Sequence, residues 1–320
     1  MKIILFLFYI GSISGTNNAF SQFAGPVGAP NTTAIFKDST DIIAWATFCE
    51  ITRGKENIDN SLSILAAYGQ PSDALGVADN TPVSLGDSGV ALVSFYLGIE
   101  NGVGPDFAIF ENSFSDNFLE LAFVEVSTNG IDFVRFPATS NTASSVQIGA
   151  FDLLSDASVL NNLAGKYKAN YGTPFDLEEL IDSTQLDLQH IRYVRIIDAI
   201  GKVTGVNASL DKNGNPINDP FPTEFPSSGF DLDAVAVLNQ AMLGIANNNV
   251  TQVYAYFSNN LLKFTTELSG NATLVDCLGK EVLQLKQEDF EEGIDFSSFP
   301  KGAYFLKFDT TINGTIRVVW

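Results

Sequence analysis

The chain has 320 residues, with 17 Lys+Arg against 37 Asp+Glu and a formal charge of −20, so nucleic acid or an anionic membrane would meet a repulsive field. With 45% apolar and only 17% charged residues, its acidity belongs on a folded surface and not in a disordered chain. A single histidine, His190, and two cysteines, Cys49 and Cys277, leave no material for zinc sites built from Cys and His pairs; oxygen is the abundant ligand type.

Residues 1–21 read as a signal peptide: Lys2, an apolar run over 3–10, then Ala19, Phe20 and Ser21, with small residues where cleavage needs them. The mature chain is expected to begin at Gln22. The apolar run is shorter than the ~20 residues a membrane span needs, so the mature chain is expected to carry no transmembrane segment.

Between Gln22 and Gly244 there are 10 basic and 28 acidic residues, which places most of the negative charge in this region. Apolar and polar residues alternate with period two over 91–96, 106–110, 119–126, 133–136, 193–197 and 230–237, the signature of half-buried strands. Helical periodicity is confined to 177–181, with residues 173–176 as a turn and Asp176 as N-cap. No repeat of 20–50 residues is present, which excludes solenoids and propellers. The expectation is an all-β chain with a jelly-roll β-sandwich over 22–244.

A polar stretch, Asn247, Asn248 and Asn249, then reads as a linker. Five short strands follow, over 254–257, 261–265, 272–275, 282–285 and 304–308, each bounded by Gly, Asn, Asp or Pro. They predict a small C-terminal immunoglobulin-like β-sandwich over 245–320. The two cysteines are read as small buried apolar residues in preference to a bridge.

The C-terminal run Asp276-Cys277-Leu278-Gly279-Lys280-Glu281-Val282, with Pro300-Lys301-Gly302-Ala303-Tyr304-Phe305-Leu306-Lys307, resembles the sorting domain of the Bacteroidota type IX secretion system. The resemblance implies export through the periplasm to the outer-membrane surface or the medium, with the secretion machinery as partner. In that family the domain is usually clipped off as the cargo is attached or released. This chain departs from the pattern at the opening, where Val253-Tyr254-Ala255-Tyr256-Phe257-Ser258-Asn259-Asn260 replaces the usual Tyr-Pro-Asn-Pro core, and at the end, where Arg317 is followed by Val318-Val319-Trp320. In the body, Gly104-Pro105-Asp106-Phe107-Ala108-Ile109-Phe110-Glu111-Asn112, Leu119-Glu120-Leu121-Ala122-Phe123-Val124-Glu125-Val126, Arg192-Tyr193-Val194-Arg195-Ile196-Ile197-Asp198 and Gly229-Phe230-Asp231-Leu232-Asp233-Ala234-Val235 resemble exported bacterial surface proteins with a galactose-binding-like jelly roll. That resemblance implies binding of glycans, calcium or protein partners. A remoter similarity links the closing strand to surface proteins of corrinoid uptake.

Asp231 and Asp233, on one strand, are expected to project to the same face about 7 Å apart, where a hard cation such as Ca²⁺ would relieve their repulsion. With Asp106, Glu111 and Asp198 they form the candidate metal set. Glu111 and Glu125 fall in register with apolar neighbours and need partners: Arg135, Arg192, Arg195, a cation or solvent. The loop 211–219 carries oxygen side chains at positions 1, 3, 5 and 9 but lacks the glycine and glutamate placement of an EF-hand. Tyr167 and Tyr171, in Gly-rich connections where aromatic rings are expected to be exposed, join Asn112 and Glu125 as candidate ligand-binding residues; Phe221 and Phe225 are in similar surroundings. His190 reads as a surface or capping side chain, and no catalytic residue is assigned. The expected function is a non-catalytic binder of a glycan, small nutrient or surface partner, with structural calcium. The alternatives are a carboxylate-dependent glycan hydrolase and a structural or adhesive envelope protein.

Overall fold

A computed structural model describes residues 23–241, 255–258, 260–264, 270–308 and 315–320. The expected signal peptide and linker lie outside these residues. Contacts divide the chain into two units, residues 1–242 and 243–320.

The first unit is an antiparallel β-sandwich. One sheet has the order Ile35–Phe36, Tyr171–Phe175, Phe107–Glu111, Asp231–Val237, Ala44–Trp45, with Val83–Ser84 also paired to Asp231–Val237. The facing sheet runs Phe48–Thr52, Val90–Ile99, Ile191–Asp198, Ala122–Ser127, Val134–Arg135. The chain passes from sheet to sheet as it proceeds, Val90–Ile99 in one, Phe107–Glu111 in the other, Ala122–Ser127 back in the first, which is the jelly-roll habit. Their inner faces meet in a core that includes Val93, Phe95, Phe107, Ile109, Val124, Val126, Phe136, Phe175, Val194, Ile196, Phe230 and Leu232. All six strands expected in this unit are present, within three residues at most ends.

Two local readings differ. The helix over Leu177–Leu180 is a 3₁₀ turn, still capped by Asp176, whose carboxylate accepts from Glu178 N at 2.9 Å. Residues read as the turn before it belong instead to the strand Tyr171–Phe175. Its Pro174 pairs with Ala108 on one side, while the short outer strand pairs only with Gly172 and Tyr171, so the ring that cannot donate sits where no partner continues.

In the second unit a three-stranded sheet, Ala255–Ser258, Leu261–Phe264 and Ile294–Asp295, accompanies a four-stranded one, Glu281–Leu285, Ala272–Asp276, Ala303–Phe308 and Thr315–Val319. Phe296, Leu274, Leu306, Leu262 and Tyr304 form its core, separate from that of the first unit. A single helical turn, Gln287–Glu292, completes it. Cys49 is buried and Cys277 is exposed, and both thiols are free, so only the first behaves as the small core residue expected. Among the described residues no helix is long and apolar enough to cross a membrane.

Candidate functional site

At one end of the sandwich, strand ends from both sheets bring acids together. Pairing of Phe107–Glu111 with Asp231–Val237 sets Glu111 opposite Leu232, and Val83–Ser84 sets Ser84 opposite Asp231. From the facing sheet, Asp198 ends Ile191–Asp198 opposite Ala122, and Glu120 precedes Ala122–Ser127 by two residues. Glu111, Glu120, Asp198, Asp219 and Asp231 are all buried there.

Burial dominates their electrostatics, because a carboxylate leaving water without a counter-charge is better off keeping its proton. Burial, with some help from the nearby Asp231 charge, pushes Glu111 up to about 8. Asp231 is pushed up to about 7 by burial, opposed by the Ser84 hydroxyl that donates to Oδ1 and by the Arg53 guanidinium. Arg53 itself is tied to the carbonyls of Tyr68 and Gly69 at 2.7 and 2.6 Å. Glu120 is raised well above its ordinary value by burial and then by the charges of Asp231, Glu111, Asp219 and Asp198. The Asn112 amide, in the orientation that satisfies its neighbours, donates to Glu111 Oε1 and Asp231 Oδ2 at 3.3 Å each.

Above this floor opens a cleft of about 320 Å³, lined by Asn112, Ser113, Glu120, Asp231 and four phenylalanines. Phe114 and Phe118 stack at 4.5 Å, and Phe151 and Phe225 meet at 5.4 Å. Phe114 is 67% exposed, Phe151 71% and Phe225 38%, although apolar rings of this size gain from burial.

Beside Glu120 lies a second, smaller cavity of about 10 Å³, bounded by Asp87, Glu120, Asp198 and Asp219. Here Asp198 is pushed up to about 8 by burial and the Asp87 charge, and burial with the Asp198 charge raises Asp219. Asp87 is pushed up to about 6 by burial.

The remaining expected site residues are elsewhere and are engaged. Asp233 sits at an irregularity of its strand. The register shifts between Leu232 and Ala234, so Leu232 packs in the main core and Ala234 in a different cluster with Ala108 and Phe110. Asp233 accepts from the amides of Asp79 and Asn80 at 3.3 and 3.0 Å and anchors that loop. Asp106, at the far end of its strand from Glu111, accepts from Gly102 N, Leu177 N and the Asn239 amide at 2.7–2.9 Å. Glu125 takes Arg135 Nε on Oε1 at 2.8 Å and Arg195 Nε on Oε2 at 2.6 Å, so of the partners considered for it two are the arginines it meets. Tyr167 is 1% exposed, against the expectation of an exposed ring, and Tyr171 packs on Phe36 at 5.3 Å. Phe221 is buried as well. The loop 211–219 is closed on itself by Asp211, whose Oδ1 accepts from Asn213 N and Asn215 N at 2.8 and 2.9 Å. His190 pairs with Asp187 at 2.8 Å on the surface.

Sequence reasoning missed Glu120, Asp87 and the ring pair Phe114 and Phe118. Glu120 carried the signal that singled out Glu111, an acid between apolar residues, in Leu119-Glu120-Leu121. Asp87 lies in Gly86-Asp87-Ser88-Gly89, which reads as a solvated turn. Among the described residues no group of three His, Cys, Asp or Glu side chains is closed about a point as around a bound metal.

Residues 252–319 match the family model of the secretion system C-terminal sorting domain. No curated protein sequence matches the chain. Among solved structures, the chain is similar to a β-glucuronidase from Ruminococcus gnavus in complex with uronic isofagomine, at 12% identity and a TM-score of 0.22, covering 88% of this chain and 46% of that one. The same enzyme in complex with D-glucaro 1,5-lactone overlays at 12% identity and a TM-score of 0.21, again over 88% and 46%. The chain thus spans less than half the length of these structures, and overlays this loose carry no argument about activity. The sorting domain makes the protein an exported one, at the cell surface or secreted, and the type IX secretion machinery its partner.

Proposed function

We propose that the first unit is a non-catalytic binding module of the galactose-binding-like kind, which takes a glycan or a small nutrient outside the cell. The observation that carries this reading is the cleft in which exposed Phe114 and Phe151 flank a floor of Asn112, Glu120 and Asp231. Its volume of about 320 Å³ is at the small end of ligand pockets, room for one or two rings. Aromatic walls offer faces for the apolar side of a sugar, and the floor offers oxygen acceptors to its hydroxyls.

A glycan array followed by calorimetry tests it. The expected result is a mono- or disaccharide, or a small amphipathic nutrient, bound with an affinity that drops at least tenfold in Phe114→Ala and Phe225→Ala while the thermal midpoint of each variant stays within a few degrees. Binding that is indifferent to both substitutions would remove the cleft from the function and favour an adhesive role.

One observation favours hydrolysis as the second reading: two carboxyl groups, Glu120 and Asp231, line one cleft, and burial pushes both above their ordinary values. Turnover of aryl glycosides that disappears in Glu120→Gln would replace the binding reading with this one.

A further inference from the structure

The small cavity beside the cleft is bounded by four carboxylates, and no Lys or Arg lines it. We propose that it is a binding site for one divalent cation, Ca²⁺ at the cell exterior, held by Asp87, Glu120, Asp198 and Asp219. The proposal does not rest on the identity, or the existence, of a ligand in the cleft.

Backbone amides hold three of the four carboxylates and leave part of their oxygen capacity unused. Asp219 Oδ2 accepts from Leu121 N at 2.9 Å and Asp87 Oδ2 from Ile58 N at 2.7 Å; the other oxygen of each takes no hydrogen bond. Asp198 accepts one amide on each oxygen, from Phe230 N at 2.7 Å and Ser88 N at 2.9 Å, with a lone pair on each to spare. Glu120 is the exception. Its carboxylate accepts from no donor among the described residues, although the residue is only 9% exposed and lines the cavity. An acid so placed either keeps its proton or meets a cation.

The cavity is also shaped for something small. Its volume of about 10 Å³ holds one water-sized body. Two glycines let the backbone close directly on the acids: a Cβ at Gly201 would stand 1.7 Å from Asp219 Oδ1, and one at Gly229 2.8 Å from Asp198 Oδ1. Cations adjoining these segments are engaged elsewhere, Lys202 with Asp59, Lys55 with the carbonyls of Asn60 and Ser61, and Arg53 with those of Tyr68 and Gly69. A hard ion takes six to eight oxygens at about 2.3–2.6 Å, which four carboxylates and the wall's hydroxyl and carbonyl groups can supply. The four carboxylates are not closed about one point in this structure, so binding has to draw them together.

The test uses the mature full-length chain, stripped with chelator and dialysed at pH 8 against Ca²⁺, Mg²⁺ or Mn²⁺ in turn, with metal content and thermal midpoint as readouts. One Ca²⁺ per chain is expected, with a rise in midpoint of about 5–10 °C at 100 times Kd that chelator reverses. Glu120→Gln and Asp219→Asn should lose both the ion and the rise, and Asp233→Asn, outside the cavity, should keep them. Each amide variant should match or exceed the metal-free parent in midpoint, which separates loss of the ion from loss of the fold; Asp87→Asn stands in if one of them does not fold. A chain that retains no divalent ion, or retains it equally in the amide variants, overturns the proposal, and retention of Mg²⁺ or Mn²⁺ alone overturns the choice of ion.

Discussion

The Tyr167 hydroxyl accepts from the Thr33 amide at 3.3 Å and lies 2.9 Å from Thr33 Oγ1, with its ring in the cluster of Leu119, Leu121, Leu160 and Ile217. It therefore ties the N-terminal segment of the first unit to the sandwich, work that a ligand-stacking ring could not do. Tyr167→Phe should lower the unfolding free energy by about 1 kcal/mol, the net worth of a buried hydrogen bond, and leave the affinity of any cleft ligand unchanged. Denaturant unfolding and calorimetry read the two effects separately. Glu125 is a parallel case, since its oxygens are taken by Arg135 and Arg195, whose guanidinium groups lie 4.2 Å over Phe123 and 3.8 Å over Phe133. An acid so supplied has nothing left to offer a ligand, whereas Glu120, with no donor, has everything.

At the scale of the strand, Asp231–Val237 is the element on which the acidic end is built, and its entry is set by Gly229. That glycine has a φ of +69°, and a Cβ there would meet Gly86 O at 2.9 Å as well as Asp198 Oδ1. Gly229→Ala combines left-handed strain with this collision and is expected to cost more than about 2 kcal/mol, read as a fall in the denaturant midpoint at unchanged slope. The strand itself was legible as a sequence pattern, because Phe230, Leu232 and Val235 mark it as apolar with acids between. Its bulge was not: the shift of register at Leu232–Ala234 leaves the composition untouched and appears only when Glu111 and Phe110 fix the pairing from the neighbouring strand. The same limit explains the acidic end as a whole. Glu111, Asp198 and Asp231 could be singled out one at a time from their own strands, but which of them meet depends on pairing across two sheets and on Asp87 and Asp219, which come from loops with no periodicity to read. Strand Tyr171–Phe175 was hidden for a more local reason, since Gly172 and Pro174 are turn residues by composition, and Pro174 is tolerated because the outer strand stops short of it.

For the molecule as a whole, these buried acids tie stability to pH in a direction opposite to that of salt-bridged carboxylates. Asp87, Asp231, Glu111 and Asp198 are pushed up to about 6, 7, 8 and 8, while in the unfolded chain they release their protons near pH 4. Over that window the folded state binds more protons than the unfolded one, so the stability present below about pH 4 is lost as pH rises through each folded value. In the presence of chelator the first unit should therefore melt highest near pH 4–5 and progressively lower up to about pH 8. The formal charge of −20 acts in the same direction through surface repulsion, but that share is screened by salt, and the buried share is not. Scanning calorimetry from pH 4 to 9 in 0.5 M NaCl isolates it, and Glu111→Gln should flatten the profile at its alkaline end. A metal-free midpoint that climbs between pH 5 and 8 at high salt would mean that these acids find counter-charges on folding, and would sink both this prediction and the account of the acidic end from which it comes.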